Sequence, residues 1–140
     1  MLIKIKFAEN EDKTKVLDFF KKNILEDHSS VNFEFLCPFG ALAAISRGQV
    51  VMMTCWDKMI GWLRFYPRKR DSIVSLYQFA IDENFRSRWL LLQMLRFTWF
   101  SLFEASCFPD STLNDYFRKK GWEITKTDNR NNYWSLKIAW

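Results

Sequence analysis

Histidine is almost missing from this chain: His28 is the one imidazole in 140 residues. Cysteine is scarce, and Cys37, Cys55 and Cys107 are widely spaced with no C-x-x-C pair. One imidazole and three scattered thiols form neither a metal-ligand set nor a disulfide framework. No metal is expected, and buried reduced thiols fit a cytoplasmic location. A single His in a polar stretch reads as an exposed side chain rather than a base. Four Gly and three Pro exclude collagen and low-complexity linkers. Long apolar runs are lacking too. Trp89 to Phe103 is interrupted by Gln93, Arg96, Thr98 and Ser101, so it is too short and too polar to span a bilayer, and no membrane is expected. Lys4 and Lys6 break the apolar start, so no signal peptide is expected there.

Large aromatic side chains are what the chain has in quantity. Fourteen Phe, seven Trp and four Tyr make up 18% of it, within an apolar total of 49%. That is enough to fill one core, and 140 residues point to a single domain over residues 1–140. The formal charge of +5 is uneven. Residues 1–46 carry six Lys and seven acids, a net of −1, whereas residues 47–140 carry fifteen Lys or Arg and nine acids, a net of +6. Every Arg lies in the second part. Such a half suits a phosphate-bearing ligand, nucleic acid or an acidic protein, and it serves solubility equally well.

Leu2 to Phe7 alternates as a half-buried strand, with Lys4 and Lys6 outward. Asn10 offers an N-cap for a helix over Glu11 to Asn23, with Val16, Leu17, Phe20 and Ile24 at helical spacing. Glu26 to Phe35 reads as a loop. Pro38 and Gly48 bracket a second helix. Val50–Trp56 and Ile60–Tyr66 form a hairpin turning at Asp57-Lys58, and Pro67 to Asp71 is a charged connection to a central strand, Ile73–Ile81. Trp89–Phe103 reads as a helix apolar nearly all round, with Leu91, Leu95 and Trp99 buried. Asp110 or Ser111 caps the last helix and Gly121 closes it. Strands Trp122–Thr127 and Tyr133–Ile138 follow.

Two local sequences stand out within this order. Gln78-Phe79-Ala80-Ile81-Asp82-Glu83-Asn84-Phe85-Arg86 runs into an apolar helix. Leu113-Asn114-Asp115-Tyr116-Phe117-Arg118-Lys119-Lys120-Gly121-Trp122 is a helix ending in a basic turn, a Gly and an aromatic residue. Together with the element order they resemble the GNAT N-acetyltransferase superfamily. The resemblance implies an α/β (α+β) fold: a central mixed, mostly antiparallel sheet flanked by helices on both faces. It also implies acetyl-CoA as cofactor, if the chain is active. Phe79 and Ile81 then lie on the strand beside the cofactor. Arg86, Ser87, Arg88, Trp89 and Leu91 fall in its pyrophosphate loop, whose backbone N–H groups at a helix start cradle phosphate.

Against the family's Arg/Gln-x-x-Gly-x-Gly/Ala loop, Arg86 fits, but Trp89 and Leu91 stand at the two small positions. Each N–H contact to a charged oxygen contributes roughly 1.5–3 kcal/mol, so losing two or three weakens binding by orders of magnitude. The family's Tyr acid, four residues before the Gly, is here Phe117. Tyr116 is its neighbour, turned by about 100° on a helix, and remains the one candidate acid. Ser75 to Gln78 supplies no carboxylate base.

Three functions compete at this stage. The leading one is a binding module with a degenerate cofactor site, whose basic half meets an acidic protein. The second is a working acetyltransferase that holds its cofactor through Arg86, Arg88 and strand backbone. The third is nucleic-acid binding through a patch of Arg64, Arg68, Lys69 and Arg70, with Arg118, Lys119 and Lys120, and with Tyr66 and Trp122 stacking on bases. No nucleic-acid motif accompanies it. Core packing is the expected role of Trp56, Trp62, Trp89 and Trp99, and Asp57 and Glu104 read as solvated.

Overall fold

A computed structural model describes residues 2–24, 38–86 and 88–140. His28, Cys37, Ser87 and the expected 26–35 loop lie outside them. In chain order the elements are β1 (Ile3–Phe7), α1 (Lys13–Ile24), α2 (Pro38–Ser46), β2 (Val50–Cys55), β3 (Lys58–Pro67), β4 (Val74–Ile81), α3 (Leu90–Phe97), β5 (Leu102–Cys107), α4 (Leu113–Lys119), β6 (Glu123–Thr127) and β7 (Asn132–Lys137). The strands form one sheet in the order β1-β2-β3-β4-β5-β7-β6. All neighbours are antiparallel except β4 and β5. The expected mixed sheet is therefore present, with β4 at its middle.

Helices cover both faces, because the strands alternate large apolar residues to each side. Val50, Met52, Trp62 and Ala80 pack beneath Val16 and Phe20 of α1 and Ala41 and Ile45 of α2. Val51, Met53, Leu63 and Phe65 pack beneath Leu91, Met94 and Leu95 of α3. A side chain at Gly61 would meet Met94 Cε at 3.3 Å, so the glycine lets α3 press onto β3. Cys55 and Cys107 are buried thiols.

Several boundaries differ from the sequence expectation, each for a local reason. The helix read over Trp89–Phe103 ends at Phe97. The Thr98 hydroxyl donates to the Leu95 carbonyl at 2.7 Å, Trp99 takes a left-handed φ of +66°, and the chain leaves as β5. An apolar run shared by a short helix and a buried strand reads as one helix, because periodicity cannot separate them. Leu91 and Leu95 are buried as expected. Trp99 is 79% exposed, and Gln93 and Arg96 also face solvent, so α3 is buried on one face only. The hairpin turns one residue early, at Trp56-Asp57, both with positive φ (51° and 67°), the type I′ pattern that suits strand twist. Trp56 is thereby displayed at 70% exposure instead of packing in the core.

Glu9, not Asn10, caps the first helical turn, with Asp12 reaching back to the Glu9 N–H at 2.9 Å. Lys6 Nζ lies 2.9 Å from the same carboxylate. Burial opposes charging Asp12, but the Glu9 amide and the Lys6 ammonium outweigh it and hold the carboxyl below its ordinary 3.8. This group's contribution is complete above pH 3.8 and is lost as pH falls through the lower folded-state value. Urea melts between about pH 5 and about pH 2 should show the loss, and Asp12→Asn should flatten that part of the profile.

Candidate functional site

β4 and β5 run side by side only where they begin. Val74 pairs with Phe103 and Ser75 with Glu104, and no pairing continues beyond. Arg68 ties this closed end. Its Nε donates to Ser75 Oγ at 3.0 Å, and its guanidinium pairs with Glu104 across the two strands and lies 3.8 Å from Asp71. Further along, β4 skips a residue against β3, from Leu76 to Gln78, which leaves Tyr77 as a bulge. The bulge shifts the alternation by one, so Leu76 and Phe79 both join the core on the α3 side. Where β5 has parted from β4, Phe79 meets α4 instead. Its ring lies 5.4 Å from Tyr116 and 6.0 Å from Phe117.

The chain then turns sharply into α3. Asp82 Oδ1 accepts the Asn84 N–H at 2.9 Å and fixes a 3-10 turn over Glu83–Phe85. Arg86 Nε donates to the Ile81 carbonyl at 3.1 Å, and the Arg88 guanidinium sits 5.0 Å over the Phe85 ring. Trp89 stands immediately before the helix with φ +60° and ψ 27°, and its carbonyl accepts the Gln93 N–H. A left-handed backbone at a Trp costs roughly 1–2 kcal/mol. The indole is half exposed, with Lys120 Nζ 4.2 Å from its centroid. Trp89, Leu91, Leu92, Tyr116, Lys120 and Trp122 line a cleft between α3 and α4. About 10 Å³ remains in it, room for one water at most.

Tyr116 and Phe117 face this region differently. Phe117 is 1% exposed, wedged among Phe79, Trp122 and Trp134. Burial pushes the Tyr116 hydroxyl up to about 12, so it keeps its proton at neutral pH and is a weak acid.

The sequence-derived residues therefore separate into groups. Phe79, Trp89, Leu91 and Tyr116 are brought to one cleft or its rim. Arg86 is not among the residues lining it; it lines a second, polar cavity with Lys22 and Lys58. The basic patch is divided as well. Lys69 and Arg70 are exposed in the connection after β3, as expected of that segment. Arg68 is spent on internal partners, and Arg64 lies 5.4 Å over the Tyr77 ring. Glu104, expected to be solvated, is the Arg68 partner, because in the folded sheet the start of β4 pairs with both the end of β3 and the start of β5, and Arg68 reaches across it. Sequence reasoning missed Lys120 as part of the cleft, and Asn114 as the group fixing α4. Both stood within the quoted motif, but only the fold reveals which way they turn.

No family model and no curated protein matches the chain. Solved structures do. The PaiA N-acetyltransferase of Thermoplasma acidophilum, solved with coenzyme A, superposes with a TM-score of 0.75 at 14% identity, over 99% of this chain and 100% of that one. A GNAT-family acetyltransferase of Bacillus cereus gives 0.74 at 11% identity, over 99% of each chain. The diaminobutyrate acetyltransferase EctA of Paenibacillus lautus, with L-2,4-diaminobutyric acid and coenzyme A, gives 0.70 at 11% identity, over 97% of this chain and 95% of that one.

The chain has the GNAT fold. At these identities the likeness carries the fold alone. Arg86, Arg88, Trp89 and Leu91, which the sequence resemblance assigns to a cofactor loop, lie in the turn after β4 and at the start of α3. Among the described residues, no helix is long and apolar enough to cross a membrane.

Proposed function

We propose that this GNAT-fold chain is an acetyltransferase relative that no longer takes up acetyl-CoA and acts as a binding module. One observation carries the reading: the Trp89 indole, under the Lys120 ammonium, lines the cleft beside the start of α3 and helps narrow it to about 10 Å³. A pyrophosphate needs bare backbone N–H groups there, and Trp89 and Leu91 put bulk on two of the positions that should be small. These residues do not fit the cofactor. Phe117 has no proton to give, and Tyr116 holds its own too tightly to serve a thiolate well.

The residues 47–140, with their net charge of +6, support an acidic protein as the partner. Nucleic acid is the weaker alternative, because Arg68 and Lys120 are committed to internal contacts. Calorimetry with acetyl-CoA tests the central reading. No heat of binding is expected at tens of micromolar, and a micromolar or tighter dissociation constant overturns it.

A second reading, a working acetyltransferase, has one observation in its favour. Trp89 keeps the left-handed backbone that a loop glycine would adopt, and β4 and β5 remain parted. In that case the indole would have to swing out to admit the cofactor.

A further inference from the structure

We propose that the cavity between the end of α1, the start of β3 and the turn after β4 is a binding site for a small phosphate-bearing ligand. Its volume is about 200 Å³, and it shares no lining residue with the Trp89 cleft. Three cations converge on it from three separate parts of the chain: Lys22 from α1, Lys58 from β3 and Arg86 from the turn. Two carboxylates also face it, Asp82 and Glu83. Asp82 is already engaged, with Oδ1 on the Asn84 N–H and Oδ2 3.7 Å from Lys58. That leaves Lys22 and Arg86 opposed by Glu83.

Arg86 is held for the task. Its Nε is anchored on the Ile81 carbonyl at 3.1 Å, which fixes the plane of the guanidinium and leaves both Nη groups to donate. A planar fork with a mobile ammonium beside it suits a tetrahedral dianion better than a carboxylate. Glu83 then selects a ligand that brings a donor to that side, either a hydroxyl on a phosphate monoester or the remaining proton of free phosphate. All three cations are solvent-exposed, and they border one concavity.

Titration of the full chain with orthophosphate and with glycerol phosphate, at ionic strength matched with chloride, tests the site by thermal shift and calorimetry. Saturable binding is expected for at least one of them, with acetate giving none. Tighter binding of glycerol phosphate identifies a monoester; equal binding identifies free phosphate. Arg86→Ala should weaken binding about tenfold or more, the cost of a charge-assisted hydrogen bond. Lys22→Glu, on the exposed face of α1, should do the same without disturbing the fold, while Arg70→Ala should leave affinity unchanged. Absence of saturation, or parental affinity retained in both the Lys22→Glu and the Arg86→Ala proteins, overturns the proposal. Lys22 belongs neither to the Trp89 cleft nor to the cofactor loop, so the Lys22→Glu result separates this site from any effect on acetyl-CoA.

Discussion

Trp89→Gly should give a chain that binds acetyl-CoA measurably better than the parent, with little change in stability. Removing the indole loses a half-exposed ring, roughly 1–2 kcal/mol of burial, and a surface cation–π contact of about 0.5–1 kcal/mol. Against this, glycine relieves a left-handed backbone that costs a side chain roughly 1–2 kcal/mol. The two sides nearly cancel. Trp89→Ala is the control that separates them, since it loses the ring yet keeps the strain. Denaturation midpoints should therefore rank Gly above Ala by about 1 kcal/mol, the reverse of their usual order in helices. On the binding side, one or two recovered N–H contacts, at roughly 1.5–3 kcal/mol each, amount to tenfold or far more in affinity. Adding Leu91→Ala should widen the cleft further, at a cost of about 2–5 kcal/mol for a buried Leu. A Trp89→Gly protein that binds no better than the parent would show that the indole is not the barrier.

The sheet was legible because its signals are local and redundant. Val50 to Tyr66 and Ile73 to Ile81 are β-rich runs with polar breaks between them, and the breaks fall where β2, β3 and β4 end. Gly48 and Gly121 both take the positive φ that closes a helix, 69° and 87°. The misreadings cluster where one composition serves two structures. Leu102 and Phe103 continue an apolar run begun by α3, and nothing in that run announces that Thr98 will turn its hydroxyl onto Leu95.

Tryptophan defeated composition-based reasoning for a different reason. A residue that belongs in cores was placed at left-handed turns three times, at Trp56, Trp89 and Trp99, and at each the side chain is turned substantially to solvent. Sequence gives hydrophobicity, and the backbone decides the direction. The site divides along the same line. That Trp89 and Leu91 occupy small-residue positions follows from the family resemblance of the sequence. That Lys120 closes over the indole, and that Arg86 turns to a different cavity, depends on how α4 and α1 pack.

Asn114→Ala should be the most damaging single change in the chain that leaves the apolar core intact. The side chain is 8% exposed and all its capacity is used. The two hydrogens of Nδ2 are shared among the carbonyls of Phe108, Pro109 and Ser111 at 2.9, 3.0 and 2.9 Å. Oδ1 accepts from Trp134 Nε1 at 3.0 Å, Asn132 Nδ2 at 2.9 Å and Cys107 Sγ at 3.2 Å. One amide thus fastens the first turn of α4 to the end of β5 and to β7. Alanine would strand the indole N–H of Trp134, which is 2% exposed, together with several carbonyls. At about 1–3 kcal/mol for each buried group left unsatisfied, the loss should reach about 3–5 kcal/mol, a fall of roughly 10 °C or more in melting temperature. Asn114→Asp distinguishes lost hydrogen bonds from lost volume. Its carboxylate can still accept from Trp134 and Asn132, but three carbonyl oxygens then face it without a hydrogen between them. The acid form supplies one, so its folded-state pKa lies above the ordinary carboxylate value. That variant should be most stable below this ordinary value and should lose stability as pH rises through the folded value, opposite in sense to the acid loss expected from Asp12. Equal melting temperatures for the Ala and Asp variants across the acid range would mean that Asn114 fills space and does not fasten α4.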